Sequence, residues 1–256
     1  MKETTMLTHH TVEGLTSLRL PAMASGLLQQ REHPDFAALG FEERLGLLVD
    51  RELLQRQNRR LERVLKAAKL RSGAVVEDID FSVARGLDKT TFHSLVQSTW
   101  VENHHNVMIV GPTGVGKTFV ACALAHSAIR SGHSALYARV PRLLDDLGGA
   151  RADGRIARVM ATLAKVDVLI FDDLLLRPLS DDQAADLLEV VEDRRGRSLV
   201  ATSQLPVSHW HEGLGEATVA DAILDRLLQR THRIELQGTS RRRSSTENST
   251  ASPASK

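Results

Sequence analysis

The chain has 256 residues, 42% of them apolar and 25% charged, and a formal net charge of +1. This composition is ordinary for a soluble globular protein with one large domain or a main domain and a smaller one, and near neutrality means that any affinity for nucleic acid must come from local clusters of charge. The single cysteine, Cys122, excludes a disulfide within the chain, and no signal peptide or membrane-length apolar run is evident, so we expect a cytoplasmic protein without a membrane partner.

The first part of the chain carries helical patterns and no convincing strand. Pro21 suits the first position of a helix, and His33-Pro34 ends that helix. Apolar residues recur three or four positions apart between Leu53 and Ala68, and they predict one apolar stripe on a long helix. The predicted helices are Thr11–Leu18, Ala22–Gln30 and Phe41–Leu70.

The second half of the long helix is strongly basic. Between Arg51 and Arg71 the chain holds eight basic and two acidic residues, a surplus of 8 − 2 = +6. A solvated helix face is the plain alternative, but such faces usually mix signs, so we predict contacts with the nucleic-acid backbone. If about six phosphates are neutralised, affinity falls roughly 10³-fold between 50 and 200 mM salt. The predicted DNA-binding residues are Arg56, Arg59, Arg60, Arg63, Lys66, Lys69 and Arg71.

From about Asn106 onward, strand patterns alternate with helical patterns. This alternation predicts an α/β domain with a mostly parallel sheet covered by helices. The candidate strands are Val107–Val110, Ser134–Arg139, Val168–Phe171, Ser198–Ala201 and Arg233–Leu236. The candidate helices are Lys117–Arg130, Pro141–Leu147, Arg155–Leu163, Asp181–Arg195 and Ala217–Thr231.

A glycine-rich turn follows the first strand and opens the first of these helices. It fits the P-loop pattern G-x-x-x-x-G-K-[ST], in which backbone N–H groups surround the β-phosphate and the helix adds the positive end of its dipole. Lys117 is placed to reach the β- and γ-phosphates, and the Thr118 hydroxyl is placed to ligate Mg²⁺. The predicted nucleotide-binding residues are Gly111, Pro112, Thr113, Gly114, Val115, Gly116, Lys117 and Thr118.

Two acids follow a buried strand about 55 residues later. Val168–Phe171 leads directly into Asp172 and Asp173, which matches a Walker B motif. Asp172 is the candidate for orienting Mg²⁺, and Asp173 is the candidate base for the attacking water. A core strand capped by solvated acids is the alternative.

Two further groups are candidates for contact with the γ-phosphate. The fourth strand ends at Thr202-Ser203, and either hydroxyl could sense the phosphate; we favour Ser203. Arg226, late in the helix Ala217–Thr231, is the candidate arginine finger, supplied by a neighbouring subunit, with Arg230 as the second choice. An ordinary helix-surface ion pair is the alternative for Arg226.

These assignments divide the chain into four parts. Residues 1–75 form a helical DNA-binding domain, 76–105 a linker and 106–240 the ATPase domain. Residues 241–256 begin with three arginines and continue as a Ser/Thr-rich stretch that lacks apolar residues with which to fold, so we predict a disordered tail.

Together these motifs resemble the IstB-like helper ATPases of bacterial insertion sequences, relatives of the DnaC-type helicase loaders within the AAA+ class. The resemblance covers Leu18 to about Arg243. It is carried by Gly40–Leu45, Leu48–Glu52, Asn58–Leu61, Leu65–Arg71, Glu77–Asp80, Gly111–Thr118, Ala121–His126, Asp172-Asp173, Thr202–Pro206, Trp210-His211 and Ala220–Leu227. Leu174-Leu175-Leu176 departs from the family's usual turn after the two acids, and the stretch Gly196–Thr202 is about one residue shorter.

The resemblance implies an AAA+ domain with a five-stranded parallel sheet and little or no helical lid. It also implies slow, DNA-stimulated ATP hydrolysis with Mg²⁺, ATP- and DNA-dependent homo-oligomers on double-stranded DNA, and a transposase partner in a bacterial cytoplasm. Three other functions stay open. A helicase loader shares the ATPase, a small-molecule kinase has no use for the basic helix, and a nucleotide-gated scaffold turns over little ATP.

Overall fold

The computed structural model describes residues 2–82 and 85–240, with side chains from residue 9 onward. It divides into two compact units, Met1–Arg63 and Val64–Lys256. The division comes earlier than the sequence-based boundary at residue 75, because Ala68, Ala74 and Ile79 are buried within the second unit. The predicted disordered tail, residues 241–256, lies outside the described residues.

The first unit is helical, as the sequence predicts. Helix α1 spans Lys2–Ser17, α2 spans Pro21–Glu32 and α3 spans Phe41–Ala68, of which the part up to Arg63 belongs to this unit. A short 3-10 turn, Pro34–Ala38, lies between α2 and α3.

A buried carboxylate caps the start of α2 from a distance. Glu52 of α3 accepts hydrogen bonds from the N–H groups of Ala22 (2.9 Å) and Met23 (3.2 Å), and its other oxygen accepts one from Arg56 Nε (2.9 Å). Burial, the largest influence, acts to raise the pKa of Glu52, but these donors together hold it below its ordinary value. The ionised carboxylate therefore satisfies donors that the helix cannot satisfy itself, and it complements the positive end of α2.

The apolar stripe predicted on α3 is only partly buried. Leu53 and Leu54 are 53% and 59% exposed, whereas Leu48 and Glu52 are buried. Leu48 and Glu52 lie one helical turn apart, and a Cβ added to Gly26 of α2 would meet Leu48 Cδ2 at 2.7 Å. The inner face of α3 in this unit therefore passes through residues 48 and 52, which turns Leu53 and Leu54 toward the surface.

The second unit holds a five-stranded sheet, and the sheet confirms the predicted α/β fold. Every strand pair is parallel, and the strand order is β2-β3-β4-β1-β5. The strands are β1 Asn106–Val110, β2 Ala135–Arg139, β3 Val168–Leu174, β4 Ser198–Ser203 and β5 Thr231–Glu235. The helices between them are α6 Lys117–Arg130, α7 Val140–Ala152, α8 Ile156–Lys165, α9 Asp181–Glu192 and α10 Ala217–Leu228.

The two faces of the sheet are covered by different helices. Alternate strand residues, such as Met108, Leu169 and Phe171, join a hydrophobic cluster with residues of α7, α8, α9 and α10. Their neighbours along each strand point to the opposite face, and α6 packs against the sheet. Because both faces are covered, the central strands read as continuous apolar runs.

Two short helices occupy part of the stretch predicted as a linker, residues 76–105. They are α4, Lys89–Val96, and α5, Thr99–Glu102. Phe92 and Trp100 are buried, and Ser127 Oγ of α6 donates to the Val96 carbonyl (2.9 Å). The segment is therefore packed into the second unit, and its helices were not predicted because they are too short for a clear periodic pattern.

The strand order decides where the predicted motifs meet. Strand β4 lies between β1 and β3, and parallel strands bring their carboxyl ends to the same edge of the sheet. The segments that follow β1, β3 and β4 are the P-loop, the Asp172-Asp173 pair and the Thr202–Gln204 stretch. A crevice beyond the carboxyl ends of the strands is where open α/β sheets bind ligands.

A buried arginine fastens the opposite edge of the sheet. Arg194 is 3% exposed, and its guanidinium donates to the carbonyls of Leu163, Val166, Asp167 (3.4 Å) and Ser198 (2.7 Å). Burial lowers the pKa of Arg194 to about 10, which leaves the group charged at neutral pH. One side chain thus satisfies the end of α8 and the starts of β3 and β4.

Replacing Arg194 with methionine is expected to destabilise the second unit. The carbonyls lose their donor while staying buried, so we expect the free energy of unfolding to fall by about 3 kcal/mol, or roughly 6–12 °C in the melting temperature. Calorimetry measures both. The exposed neighbour provides the control, because Arg195→Met should change stability by no more than about 0.5 kcal/mol. Equal melting temperatures for the two variants would contradict the capping role.

Candidate nucleotide-binding site

The turn between β1 and α6 has the backbone geometry that a phosphate-binding loop requires. Gly111 and Gly116 have φ angles of +146° and +101°, a region that residues with a side chain rarely adopt. A Cβ at Gly111 would lie 2.1 Å from the Leu236 carbonyl oxygen, so the loop also needs glycine there for space. The turn ends at Lys117, the first residue of α6, and so directs the positive end of that helix into the loop.

Lys117 holds its ammonium group against the loop. The side chain is buried, and Nζ donates to the carbonyls of Gly111 (2.7 Å) and Pro112 (2.8 Å). On the outer side of the loop, Thr113 Oγ1 donates to Gln204 Oε1 (2.7 Å). A buried cation inside a ring of backbone N–H groups is the donor set that polyphosphates bind.

Asp172 is the centre of a buried cluster of donors. Its Oδ1 accepts hydrogen bonds from the hydroxyls of Thr118 and Thr202, both at 2.7 Å. Its Oδ2 accepts one from the Tyr137 hydroxyl (2.6 Å) and one from Arg71 Nη1 (3.4 Å). Burial, and secondly the Asp172 carboxylate, raise the pKa of Tyr137, so the phenol stays protonated and acts as a donor.

The backbone bends sharply just after Asp172. Asp173 has a φ angle of +58°, and the register between β3 and β4 shifts between Phe171 and Leu174. Asp173 Oδ2 accepts a hydrogen bond from Arg139 Nε (2.7 Å), and its N–H donates to Thr202 Oγ1 (3.1 Å). Bulges of this kind redirect side chains next to active sites, and this one brings both carboxylates to the same end of β3.

The two motifs share one cavity of about 540 Å³. This is within the range of small-molecule sites, 300–1,000 Å³. Its lining includes Arg71, Asp78, Lys117, Thr118, Asp173 and Gln204.

The donor set beside Thr118 fits a magnesium ion. Magnesium binds oxygen ligands, usually one or two from the protein together with substrate phosphates and water. Thr118 lines the cavity, and its Oγ1 lies 2.7 Å from Oδ1 of the buried Asp172, so the two oxygens are close enough to serve one ion.

Ser203, predicted as the phosphate sensor, is hydrogen-bonded to backbone groups. Its hydroxyl donates to the Leu174 carbonyl (2.8 Å) and accepts from the Leu205 N–H (3.2 Å), so backbone groups occupy it. Thr202, the alternative considered from the sequence, contacts Asp172 instead, and Gln204 lines the cavity. Successive strand residues point to opposite faces, so Thr202 and Ser203 have different partners although they are adjacent in the chain.

Arg226 is remote from the P-loop of its own chain. It lies near the end of α10, where it pairs with Glu192 (3.0 Å), and its carbonyl accepts from Asn106 Nδ2 (3.2 Å). Asn106 begins β1, whereas the P-loop follows the end of that strand. Arg226 therefore sits at the opposite edge of the sheet from the P-loop.

The residues predicted to bind DNA do not form one uniform set. Arg56 is tied to Glu52 and to the Arg19 carbonyl (2.9 Å). Lys69 follows the end of α3 with a φ angle of +51° and is exposed. The remaining exposed cations of α3 are Arg59, Arg60, Arg63 and Lys66.

Arg71 corrects the prediction most clearly. The helix ends at Ala68, so Arg71 does not continue the basic face; its guanidinium contacts Asp172 and lines the nucleotide cavity. Helical periodicity assigned it to a DNA-binding face because the end of α3 was predicted at Leu70.

Sequence reasoning missed two side chains of β2 that contact the pair of acids after β3. Tyr137 and Arg139 are two residues apart on this edge strand, so they share one face, and they contact Asp172 and Asp173, respectively. Their register partners on β3 are Ile170 and Asp172. The available signal was that the strand ends in polar residues beside the strand that carries the two acids.

The chain is similar to ATP-binding proteins of insertion sequences. Residues 13–249 match the family described as IstB-like ATP binding protein. A Sinorhizobium fredii protein named as an insertion sequence ATP-binding protein is 48% identical over 239 residues, which cover 93% of this chain and 98% of that protein. A Pseudomonas fluorescens protein named as an ATP-binding protein of insertion sequence IS1162 is 50% identical over 205 residues, covering 79% and 89%.

The fold also has a counterpart among solved structures. The crystal structure of DnaI matches with a TM-score of 0.55 and 21% identity, covering 69% of this chain and 94% of that one, a likeness of fold alone. None of the described helices combines the length and apolar character needed to cross a membrane. The motifs, the parallel sheet and the match over residues 13–249 agree, and the chain belongs to the family of IstB-like ATP-binding proteins.

Proposed function

We propose that this protein is a DNA-binding ATPase of transposition, which assembles on target DNA in its ATP-bound form and recruits or activates a partner transposase. The observation that carries the ATPase part is the cavity that Lys117, Thr118 and Asp173 line together, with the buried Asp172 hydrogen-bonded to Thr118. The transposition part is supported by relatives named as insertion sequence proteins.

In the proposed reaction, the P-loop binds and orients the phosphates. Backbone N–H groups of the loop and the Lys117 ammonium contact the β- and γ-phosphates, while Thr118 and Asp172 hold Mg²⁺. Bound Mg²⁺ supplies positive charge that neutralises the phosphoryl oxygens. No side chain of the protein has to form a covalent bond with the phosphoryl group, because this reaction depends on positioning and charge.

Asp173 orients and deprotonates the attacking water. Arg139 holds its Oδ2 at 2.7 Å, so we assign Oδ1 to the water. The positive φ angle of Asp173 costs conformational energy, and such strain clusters at functional sites. We assign the sensing of the γ-phosphate to Thr202 and Gln204, because Gln204 lines the cavity and Thr202 contacts Asp172, whereas Ser203 bonds to backbone groups.

Arg226 completes the site of a neighbouring protomer. It cannot reach its own P-loop, and an arginine finger supplied in trans makes hydrolysis depend on assembly. ATP then favours the assembled form, since γ-phosphate contacts from two protomers exist only there.

Target DNA binds through exposed arginines of α3. Arg59, Arg60 and Arg63 are exposed and lie within four residues of each other on one helix. Such a row contacts phosphates and implies no sequence preference. A helicase loader remains the second reading, but its support is a likeness of fold, whereas the relatives near 50% identity carry insertion sequence names.

Light scattering tests this proposal on the full chain, with and without duplex DNA, under ATP, ADP or no nucleotide. We expect large assemblies only with ATP and DNA together. If the protein is a monomer under all six conditions, the proposal is wrong.

A charge-matched pair of variants separates the DNA contact from a general effect of charge. Arg59→Ala/Arg60→Ala/Arg63→Ala should lose the assemblies and lower the salt dependence of DNA binding by about three phosphate contacts. Arg31→Ala/Lys165→Ala/Arg233→Ala removes the same charge from exposed positions elsewhere and should behave as the wild type. Equal DNA affinity of the two triple variants would remove α3 from the proposal.

A further inference from the structure

The second oxygen of Asp172 is held by two side chains from separate parts of the second unit. Tyr137 of the edge strand β2 donates to Oδ2 at 2.6 Å, and Arg71, three residues after the end of α3, donates at 3.4 Å. The first oxygen, Oδ1, is directed to Thr118 and Thr202. The two oxygens therefore have different partners and different tasks.

This division of donors determines how the carboxylate is oriented. A carboxylate has about four acceptor positions, and because the group is planar and rigid, donors that hold one oxygen also fix the direction of the other. Asp172 is fully buried, so bulk water cannot replace Tyr137 and Arg71 as hydrogen-bond donors to Oδ2. Tyr137 and Arg71 thus supply both the orientation and, through the guanidinium, the charge that a buried carboxylate requires.

We propose that Tyr137 and Arg71 are positioning residues that hold Asp172 by Oδ2, present Oδ1 beside Thr118, and so set the affinity of the nucleotide site for Mg²⁺. The proposal rests on the proposed ATPase function. Residues that orient a metal ligand typically change metal affinity or activity 10- to 100-fold when they are altered.

A purely structural role for the two residues predicts a different result. Tyr137→Phe keeps the ring and removes only the hydroxyl, and Arg71→Gln keeps a polar side chain and removes the charge. If the residues only fill space, both variants need the same Mg²⁺ concentration as the wild type. If they position Asp172, the Mg²⁺ requirement rises in both variants, while nucleotide binding without metal is unchanged in Tyr137→Phe, whose side chain does not line the cavity.

The test measures binding of a fluorescent ATP analogue to the full chain in EDTA and over a Mg²⁺ titration, with hydrolysis followed in parallel. We expect the half-maximal Mg²⁺ concentration to rise 10- to 100-fold in Tyr137→Phe and Arg71→Gln, and binding in EDTA to stay within about twofold in Tyr137→Phe. Saturating Mg²⁺ should restore most of the hydrolysis rate. Arg142→Gln is the control, because the Arg142 side chain on α7 is 84% exposed, and this variant should match the wild type.

A spectroscopic readout follows from composition. Tyr137 is the only tyrosine, so ¹³C-tyrosine labelling gives one ring resonance, which Tyr137→Phe removes and thereby assigns. We expect this resonance to shift when Mg²⁺ joins bound nucleotide, and to start from a different position in Arg71→Gln.

The outcomes separate this inference from the proposed function. A Mg²⁺ requirement within twofold of the wild type in both variants overturns the positioning role. A wild type that binds Mg²⁺-nucleotide without hydrolysing it contradicts the ATPase alone, since metal-dependent binding still tests Asp172. A wild type that binds no nucleotide overturns both.

Discussion

Replacing Lys117 with alanine is expected to lower ATP affinity roughly 30- to 4,000-fold and to reduce hydrolysis to the background rate. Truncating one partner of a buried, hydrogen-bonded charge pair costs about 2–5 kcal/mol, and 1.4 kcal/mol corresponds to a factor of ten in affinity. Lys117 is the buried ammonium at the centre of the P-loop, held by the carbonyls of Gly111 and Pro112. Titration calorimetry with ATP and a phosphate-release assay give the two numbers.

Folding must be separated from binding in this variant, because the substitution also leaves the Gly111 and Pro112 carbonyls without their ammonium donor. Circular dichroism and the melting temperature report that effect. Lys165→Ala, at an exposed position, controls for loss of one positive charge. A folded Lys117→Ala protein that binds ATP within threefold of the wild type would refute the assignment of this loop.

Replacing Arg226 with alanine is expected to leave ATP binding intact and to lower hydrolysis by about 10³-fold, the lower range for an arginine finger. The residue cannot reach the P-loop of its own chain, so the loss should appear only in the assembled state. Glu192→Gln is the matched control: it breaks the 3.0 Å ion pair of Arg226 but keeps the guanidinium. We expect this control to retain hydrolysis.

Mixing variants tests whether the arginine acts in trans. In an equal mixture of Arg226→Ala and Lys117→Ala chains, a site works when an intact P-loop faces an intact finger, which random assembly gives at about one quarter of the sites. Each variant alone should be inactive. Recovery in the mixture supports a shared site, whereas an Arg226→Ala protein with normal hydrolysis would contradict it. Arg230→Ala then tests the second candidate.

Local patterns predicted much of the fold because their causes are local. Helix α6 was expected at Lys117–Arg130 and has those bounds, since a glycine turn sets its start. The five predicted strands are present as one parallel sheet, because apolar runs between helices can be buried only there. Helices α4 and α5 were missed because short segments lack a readable period.

The candidate site was predictable in outline, whereas the contacts of single residues within it were not. The P-loop and Asp172-Asp173 are contiguous motifs, so spacing along the chain is enough to identify them. The choice of Ser203 over Thr202 depended on which face of β4 meets Asp172, and a register shift between β3 and β4 lies at that point. Arg71 was assigned to a helix face that ends three residues before it.

By itself, the sequence determined the class of this protein. A nucleotide-binding α/β domain is specified by the P-loop, the two acids after a buried strand and the alternation of strands and helices. Each of these patterns is formed by residues that are adjacent in the chain, so it can be read without the tertiary structure. Only the tertiary structure decided which side chains surround Asp172. Tyr137, Arg71 and Thr202 come from three separate segments, and their meeting depends on strand order and register rather than on any local pattern.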